Sequence, residues 1–197
     1  MKQLLFLLLF ISFTVLLFAQ SDNLLQINDL RLEKQRIGML VLGSWAVGNM
    51  ATGAILVGQR KGEDRYFHLM NIGWNAVNLG LATVGYLNAI HADPSSFDIA
   101  TTITQQYNIE KILLLNTGLD VGYMLGGLYL MERSKNNNKN PERLKGFGKS
   151  IVLQGGFLFA FDLAFYFVHA NTRSAEWQQL LSSVYFDGNQ VGLVLQF

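Results

Sequence analysis

The sequence is poor in charge and in the residues that staple or break a chain. Its 197 residues hold no cysteine, 2 prolines and 15% Asp, Glu, Lys and Arg. The missing cysteine excludes a disulfide framework, a thiolate metal site and a cysteine nucleophile. A soluble domain carries about 25% charged residues, so the low charge argues against a soluble enzyme. A net charge of +1 gives no footprint for a nucleic-acid partner. No phosphate loop, GxSxG or HExxH motif is present. Catalytic residues, metal and cofactor are therefore all read as none. What the chain does have is apolar length. Half of it is hydrophobic, the mean hydropathy is +0.24, and intrinsic disorder is excluded.

Met1–Ala19 reads as a secretory signal peptide. Lys2 supplies the positive start, Leu4 to Phe18 is apolar apart from Ser12 and Thr14, and Ala19 offers a small residue for cleavage. Leu17 at the −3 position is larger than usual there, and an uncleaved anchor helix is the alternative. Residues 20–36 carry Leu24, Leu25, Ile27, Leu30 and Leu32 among charges. That pattern predicts an amphipathic helix on the membrane surface or docked on the bundle.

Four apolar spans follow, forming a membrane domain over residues 37–170. Residues 37–58 and 66–92 contain no Asp, Glu, Lys or Arg; residues 112–131 contain Asp120 alone and residues 150–170 Asp162 alone. A helix crosses a hydrocarbon layer of about 30 Å with roughly 20 residues. Apolar runs of that length imply helices, because lipid offers the backbone no hydrogen-bond partner. Asp93-Pro94 and the Asn136–Pro141 stretch mark loops between spans. The expected fold is an all-α four-helix transmembrane bundle, with flanking amphipathic surface helices and a short extended C-terminal tail.

Charge sets the orientation. Arg60, Lys61, Arg65, Arg133, Lys135, Lys139, Arg143, Lys145 and Lys149 fall on one predicted side; Arg31, Lys34, Arg36, Lys111 and Arg173 fall on the other. The richer side is cytoplasmic by the positive-inside rule. This places the protein in the inner membrane with both mature termini periplasmic. The lipid bilayer is the expected partner, with a membrane or periplasmic protein as a further one.

Two helix faces stand out. Gly118, Gly122 and Gly126 form one small face, and Gly156, Ala160 and Ala164 another. Small residues at this spacing let backbones approach in lipid, so these faces are expected to bring the third and fourth spans together. A polar stripe lies elsewhere. It comprises Asn116, Asp120 and Tyr123 on the third span, and Asp162, Tyr166 and His169 on the fourth. Asn71, Asn75 and Asn78 share that spacing on the second span, and Trp45, Asn49 and Thr52 follow it on the first. Trp45-x3-Asn49 is echoed by Trp74-x3-Asn78.

Asn49, Asn78, Asp120 and Asp162 fall near mid-span. A carboxylate at bilayer centre costs about 2.5–3.5 kcal/mol on insertion scales, so each acid must face inward and be protonated or hydrogen-bonded. The spans contain no Lys or Arg to pair with them. Two readings follow. One is a polar core of Asn49, Asn78, Asn116, Asp120, Tyr123, Asp162 and Tyr166 that fixes helix register. The other is an ion, proton or ligand site on Asp120 and Asp162. No proline interrupts a span, as many transporters would require. His68, His91 and His169 sit near span ends and read as interfacial residues.

Residues 171–197 form an extracytoplasmic tail. Trp177, Leu180, Leu181 and Val184 share a helical face; Asp187-Gly188 predicts a turn, and Val191, Leu193, Leu195 and Phe197 alternate. That last segment is similar to the closing strand of outer-membrane barrels, which gives outer-membrane association as an alternative. A barrel, however, needs at least eight such strands.

The chain resembles a family of small helical membrane proteins from Gram-negative bacteria with no assigned function. The carrying residues are Asn28-x2-Arg31, the two Trp-x3-Asn pairs, Leu115-Asn116-x-Gly118-Leu119-Asp120-x-Gly122-Tyr123, and Gln154-Gly155 before Asp162. The resemblance implies a four-span fold with a signal peptide and implies no activity.

Overall fold

The computed structural model describes the backbone of residues 2–136, 139–181, 184–186 and 191–193, and side chains within 23–136, 139–171 and at 173. It is all-α apart from one short strand pair. Helix α1 spans Lys2–Val57, α2 Gly62–His91, α3 Ile99–Lys135 and α4 Pro141–Leu181. Strand β1 (Val184–Phe186) pairs antiparallel with β2 (Val191–Leu193).

Local chemistry sets the ends. After α1 the chain reverses over residues 58–61, and Gly62 takes φ +58°, a left-handed conformation that glycine adopts without steric cost. Glu63 and Asp64 sit in the first turn of α2, where the positive helix end favours acids. Pro94 disfavours helix at Asp93, so α2 stops just before it. A 3-10 turn, Pro94–Ser96, leads to Asp98, whose carboxylate caps α3 by accepting from the Thr101 N–H at 2.7 Å. Pro141 opens α4, where its missing N–H has no intrahelical role.

Helix α1 runs antiparallel to α2 and α3 antiparallel to α4, giving two hairpins that join through α2 and α4. The α2–α4 contact is close at one end. A Cβ on Gly146 would meet the Glu63 carbonyl, the Phe67 nitrogen and the Tyr66 side chain. Lys145 Nζ lies 2.8 Å from Glu63 Oε2, and Lys149 also pairs with Glu63. The start of α4 and the start of α2 therefore lie at the same end of the bundle.

Several expected boundaries shift. Every helix begins before its apolar span, and α3 and α4 also run past its end, because charged turns continue the same backbone; α1 and α2 stop one residue short of theirs. Residues 23–36 belong to α1 rather than to a separate surface helix, and their face of Ile27, Asn28, Arg31 and Leu32 is buried on the bundle. No separate helix follows the last span either. Residues up to Leu181 continue α4, and Val184 lies in β1 opposite Leu193. The turn expected at Asp187-Gly188, and Leu195 and Phe197, fall outside the described residues.

The helix-packing expectation is corrected in its residues. Helices α3 and α4 do pack together, but the two small faces are not the contact. A Cβ on Gly118, Gly122 or Gly126 would meet nothing within 4 Å, and Ala160 and Ala164 are exposed. The close approach is at Gly127 and Gly148. A Cβ on Gly127 would lie 2.7 Å from the Gly148 carbonyl, and one on Gly148 2.5 Å from the Gly127 carbonyl. Gly155 continues it against Met124 and the Asp120 carbonyl. Gly127 lies one residue beyond the GxxxG series, a helical step of about 100°, so the contact turns to a different face.

Candidate ligand cleft and the polar interior

Polarity in this fold is inverted relative to a water-soluble domain. Among the described residues the buried hydrophobic side chains are few and small-faced: Ile27, Leu32, Leu42, Ala46, Ala82, Ala89 and Leu113. Asparagines, glutamines, serines, acids, Arg31 and His169 fill the interior around them. Large apolar side chains on all four helices point outward, among them Ile55, Val77, Leu115, Leu125 and Phe167. An isolated exposed Leu means little, but buried polar groups under a continuous apolar exterior are informative.

Those polar groups form distinct layers. The first is centred on Gln154 of α4. Its Oε1 accepts from Trp45 Nε1 at 2.8 Å, and its Nε2 donates to Asn49 Oδ1 at 3.2 Å and to Asn71 Oδ1 at 3.0 Å. Ser150 Oγ donates to the same Asn71 oxygen at 2.5 Å. Trp45 stacks flat on Phe157, with ring centroids 3.9 Å apart. Asn49 therefore belongs to this hub, away from the acids.

The second layer holds the acids. A cavity of about 530 Å³ lies between α2, α3 and α4, and its wall includes Asn78, Asn116, Asp120, Tyr123 and Asp162. Five of the seven expected polar-core residues thus share one space. The two acids are near neighbours at its floor, 2% and 6% exposed. Asn78 Nδ2 is buried without a hydrogen-bond partner, and the Asp120 carboxyl is hydrogen-bonded to that of Asp162. Trp74 and Tyr123 meet edge to face across α2 and α3, with centroids 5.0 Å apart. The rest of the wall is apolar, including Leu42, Val77, Leu119 and Phe161. No Lys or Arg lines it. Tyr166, expected in the polar core, is not among the cavity's lining residues and instead rests against the Phe167 ring.

The third layer closes the far end. Asn28 Nδ2 donates to Thr102 Oγ1 at 2.9 Å, Arg31 donates to Asn28 Oδ1, and the Arg31 guanidinium lies 4.9 Å from the Phe97 ring centroid. Gln106 donates to Glu110 and to the His169 carbonyl, and Arg173 reaches Glu110 at 3.3 Å. His169 is 1% exposed and packs against Phe165, so it is a core residue rather than an interfacial one.

Gln154, Ser150 and the ring ladder Phe157–Phe161–Phe165 leading to His169 escaped the sequence reading as site residues, although His169 itself was placed on the polar stripe. The signal was present, because aromatic rings recurring every four residues mark one helix face.

These features define a class first: a helical protein with a polar interior and, among the described residues, two helices, Asn23–Val57 and Pro141–Asn171, long and apolar enough to cross a membrane. The asparagines of α2 and the polar and charged ends of α3 accompany their absence from that pair. Within this class the chain belongs to a family of unknown function, DUF6992, which matches residues 41–163. The match takes in the Gln154 hub and the acid-lined cavity. No curated protein and no solved structure matches the chain.

Proposed function

We propose that the chain is a four-span integral membrane protein that binds a polar or cationic ligand in the Asp120–Asp162 cleft, without catalysing a reaction on it. The inverted polarity supports four spans. Side chains such as Val77, Leu81, Leu115 and Leu125 on α2 and α3 are as exposed as those of α1 and α4, which suits lipid on every side. The excess of basic residues at the 58–65 and 132–149 end supports a cytoplasmic placement of that end, with a signal peptide at 1–19. Inner-membrane residence follows from the same reading, and Gram-negative origin is what the family resemblance implies.

The first two of the three polar layers have different roles in this proposal. The Gln154 hub is satisfied and fixes register. The acid layer is not, and this one observation carries the ligand reading: a cavity of about 530 Å³ with Asn78 Nδ2 unpaired in its wall, beside two acids that have only each other to hydrogen-bond. Buried polar groups are nearly always paired, so unpaired ones around a cavity mark a place for a ligand or ions.

The cysteine-free chain makes the test direct. Asn116→Cys lies in the cleft wall, and Ala46→Cys lies in a fully buried contact as control. In nanodiscs, N-ethylmaleimide should modify the first and spare the second. Equal inertness at both positions would show a sealed core and refute the reading.

A further inference from the structure

The geometry points to a lipid-soluble amine with a nearby oxygen acceptor as the ligand of this cleft, entering sideways from the bilayer between α2 and α3. The inference rests on the proposed reading of the chain as membrane-spanning with an accessible cleft.

The floor selects charge. Asp120 and Asp162 face a cavity with no basic side chain, so a cation is the complement they lack. The polar atoms at the floor select its donor and acceptor pattern. The Asp120–Asp162 pair, two acceptors with only each other for company, calls for an N–H donor, and the unpaired Asn78 Nδ2 for an acceptor. A protonated amine with an adjacent hydroxyl, ether or carbonyl oxygen meets both. A bare metal ion offers no acceptor to the Asn78 amide.

The wall selects an apolar body. Trp74, Tyr123 and Phe161 surround the acids, and aromatic faces attract organic cations. The cavity, about 530 Å³, lies within the roughly 300–1,000 Å³ range of small-molecule sites. A proton or a hydrated ion would leave that apolar volume unused.

The mouth selects the route. Val77 and Leu81 of α2 line the cavity and are 63% and 62% exposed; Leu119 and Tyr123 of α3 also line it and are exposed. The same side chains therefore form both the cavity wall and the outer surface. The seam between α2 and α3 is bridged by the Trp74–Tyr123 ring contact rather than by packed backbones.

The test uses the full chain in nanodiscs of zwitterionic lipid at pH 7, with empty nanodiscs as blank. The probe is propranolol, an aryl amino alcohol with a protonated secondary amine. Its neutral counterpart is 3-(1-naphthyloxy)-1,2-propanediol, and ethanolamine is the head without the apolar body. Calorimetry should show saturable propranolol binding above the blank. Affinity should fall at least tenfold in Asp120→Asn, in Asp162→Asn and for the neutral diol, and ethanolamine should bind at least tenfold more weakly. Val77→Trp, which narrows the mouth without touching a polar group, should slow binding severalfold. Should an acid variant not fold, the diol comparison on the unaltered protein and Val77→Trp still decide. No saturable propranolol binding, or equal binding by the diol, would overturn the inference. If Asn116→Cys is modified by N-ethylmaleimide while propranolol does not bind, the ligand class is wrong and the accessible cleft stands. If the cleft is sealed, both readings fall.

Discussion

Single side chains divide this interior into groups with different duties. Gln154 joins α1, α2 and α4 through three hydrogen bonds. Interhelical hydrogen bonds in membrane bundles average about 0.6 kcal/mol, so Gln154→Leu should destabilise by about 2 kcal/mol. Reversible unfolding in mixed micelles measures this, and a change under about 0.5 kcal/mol would remove the hub's structural role. Asp120 should behave in the opposite way. Its hydrogen-bond partner is a second acid, Asp162, and an amide keeps a donor there while removing the like-charge contact, so Asp120→Asn should melt at or above the unaltered protein in detergent. A clear fall in melting temperature would make the acid part of the scaffold. Both acids were legible in the sequence, because a carboxylate within an apolar run must turn inward. Gln154 was not, because a neutral amide beside Gly155 and Gly156 carries no comparable penalty to betray its orientation.

At the scale of elements, the sequence showed which runs become helices and missed how they touch. Charge-free stretches with prolines kept outside them leave the backbone one practical solution, and the four helices follow. Contact faces are harder to read, since glycine at every fourth position and glycine one step away look equally suited to packing. The structure separates them. Gly127→Leu should disrupt the α3–α4 pair, costing at least about 2 kcal/mol, because overpacking against a backbone carbonyl leaves nothing free to move. Gly122→Leu should change stability by less than about 0.5 kcal/mol, as its Cβ would meet open space. Thermal melts of the two variants side by side check the assignment. Equal effects would return the contact to the GxxxG face.

At the scale of the whole molecule, the lysines and arginines of the described residues are confined to the two ends of the bundle, and only Asp120 and Asp162 lie between. At one end Lys145 and Lys149 hydrogen-bond to Glu63 and hold its carboxyl below its ordinary value of 4.5, while Glu63 raises the Lys149 ammonium above 10.5. A lowered acid stabilises the fold above pH 4.5, and that contribution disappears as pH falls through its folded value. A raised lysine stabilises below pH 10.5 and loses its contribution as pH rises through its folded value. The partners are half-exposed, so the cluster is worth about 0.5–1 kcal/mol. Glu63→Gln should remove that increment between these limits and flatten the acid limb of a stability-against-pH curve. An unchanged acid limb would show that other groups set it. Loop charge made the common end of α2 and α4 foreseeable from composition. Their direct contact was not, since a positive-inside count reports sidedness and says nothing of adjacency.

The arrangement of neighbours also sets an order of biogenesis. Helices α1 and α2 pair with each other, as do α3 and α4, so each hairpin completes its closest contacts as soon as its own second helix emerges. The hub, the acid cleft and the Glu63 cluster all wait for α4, the last helix to be made. On the four-span reading we propose, a ribosome that has released only the first hairpin leaves Asn49, Asn71 and Asn78 facing lipid without their Gln154 and cleft neighbours. Truncated or stalled chains would carry the sort of unsatisfied polar helix that membrane quality control removes.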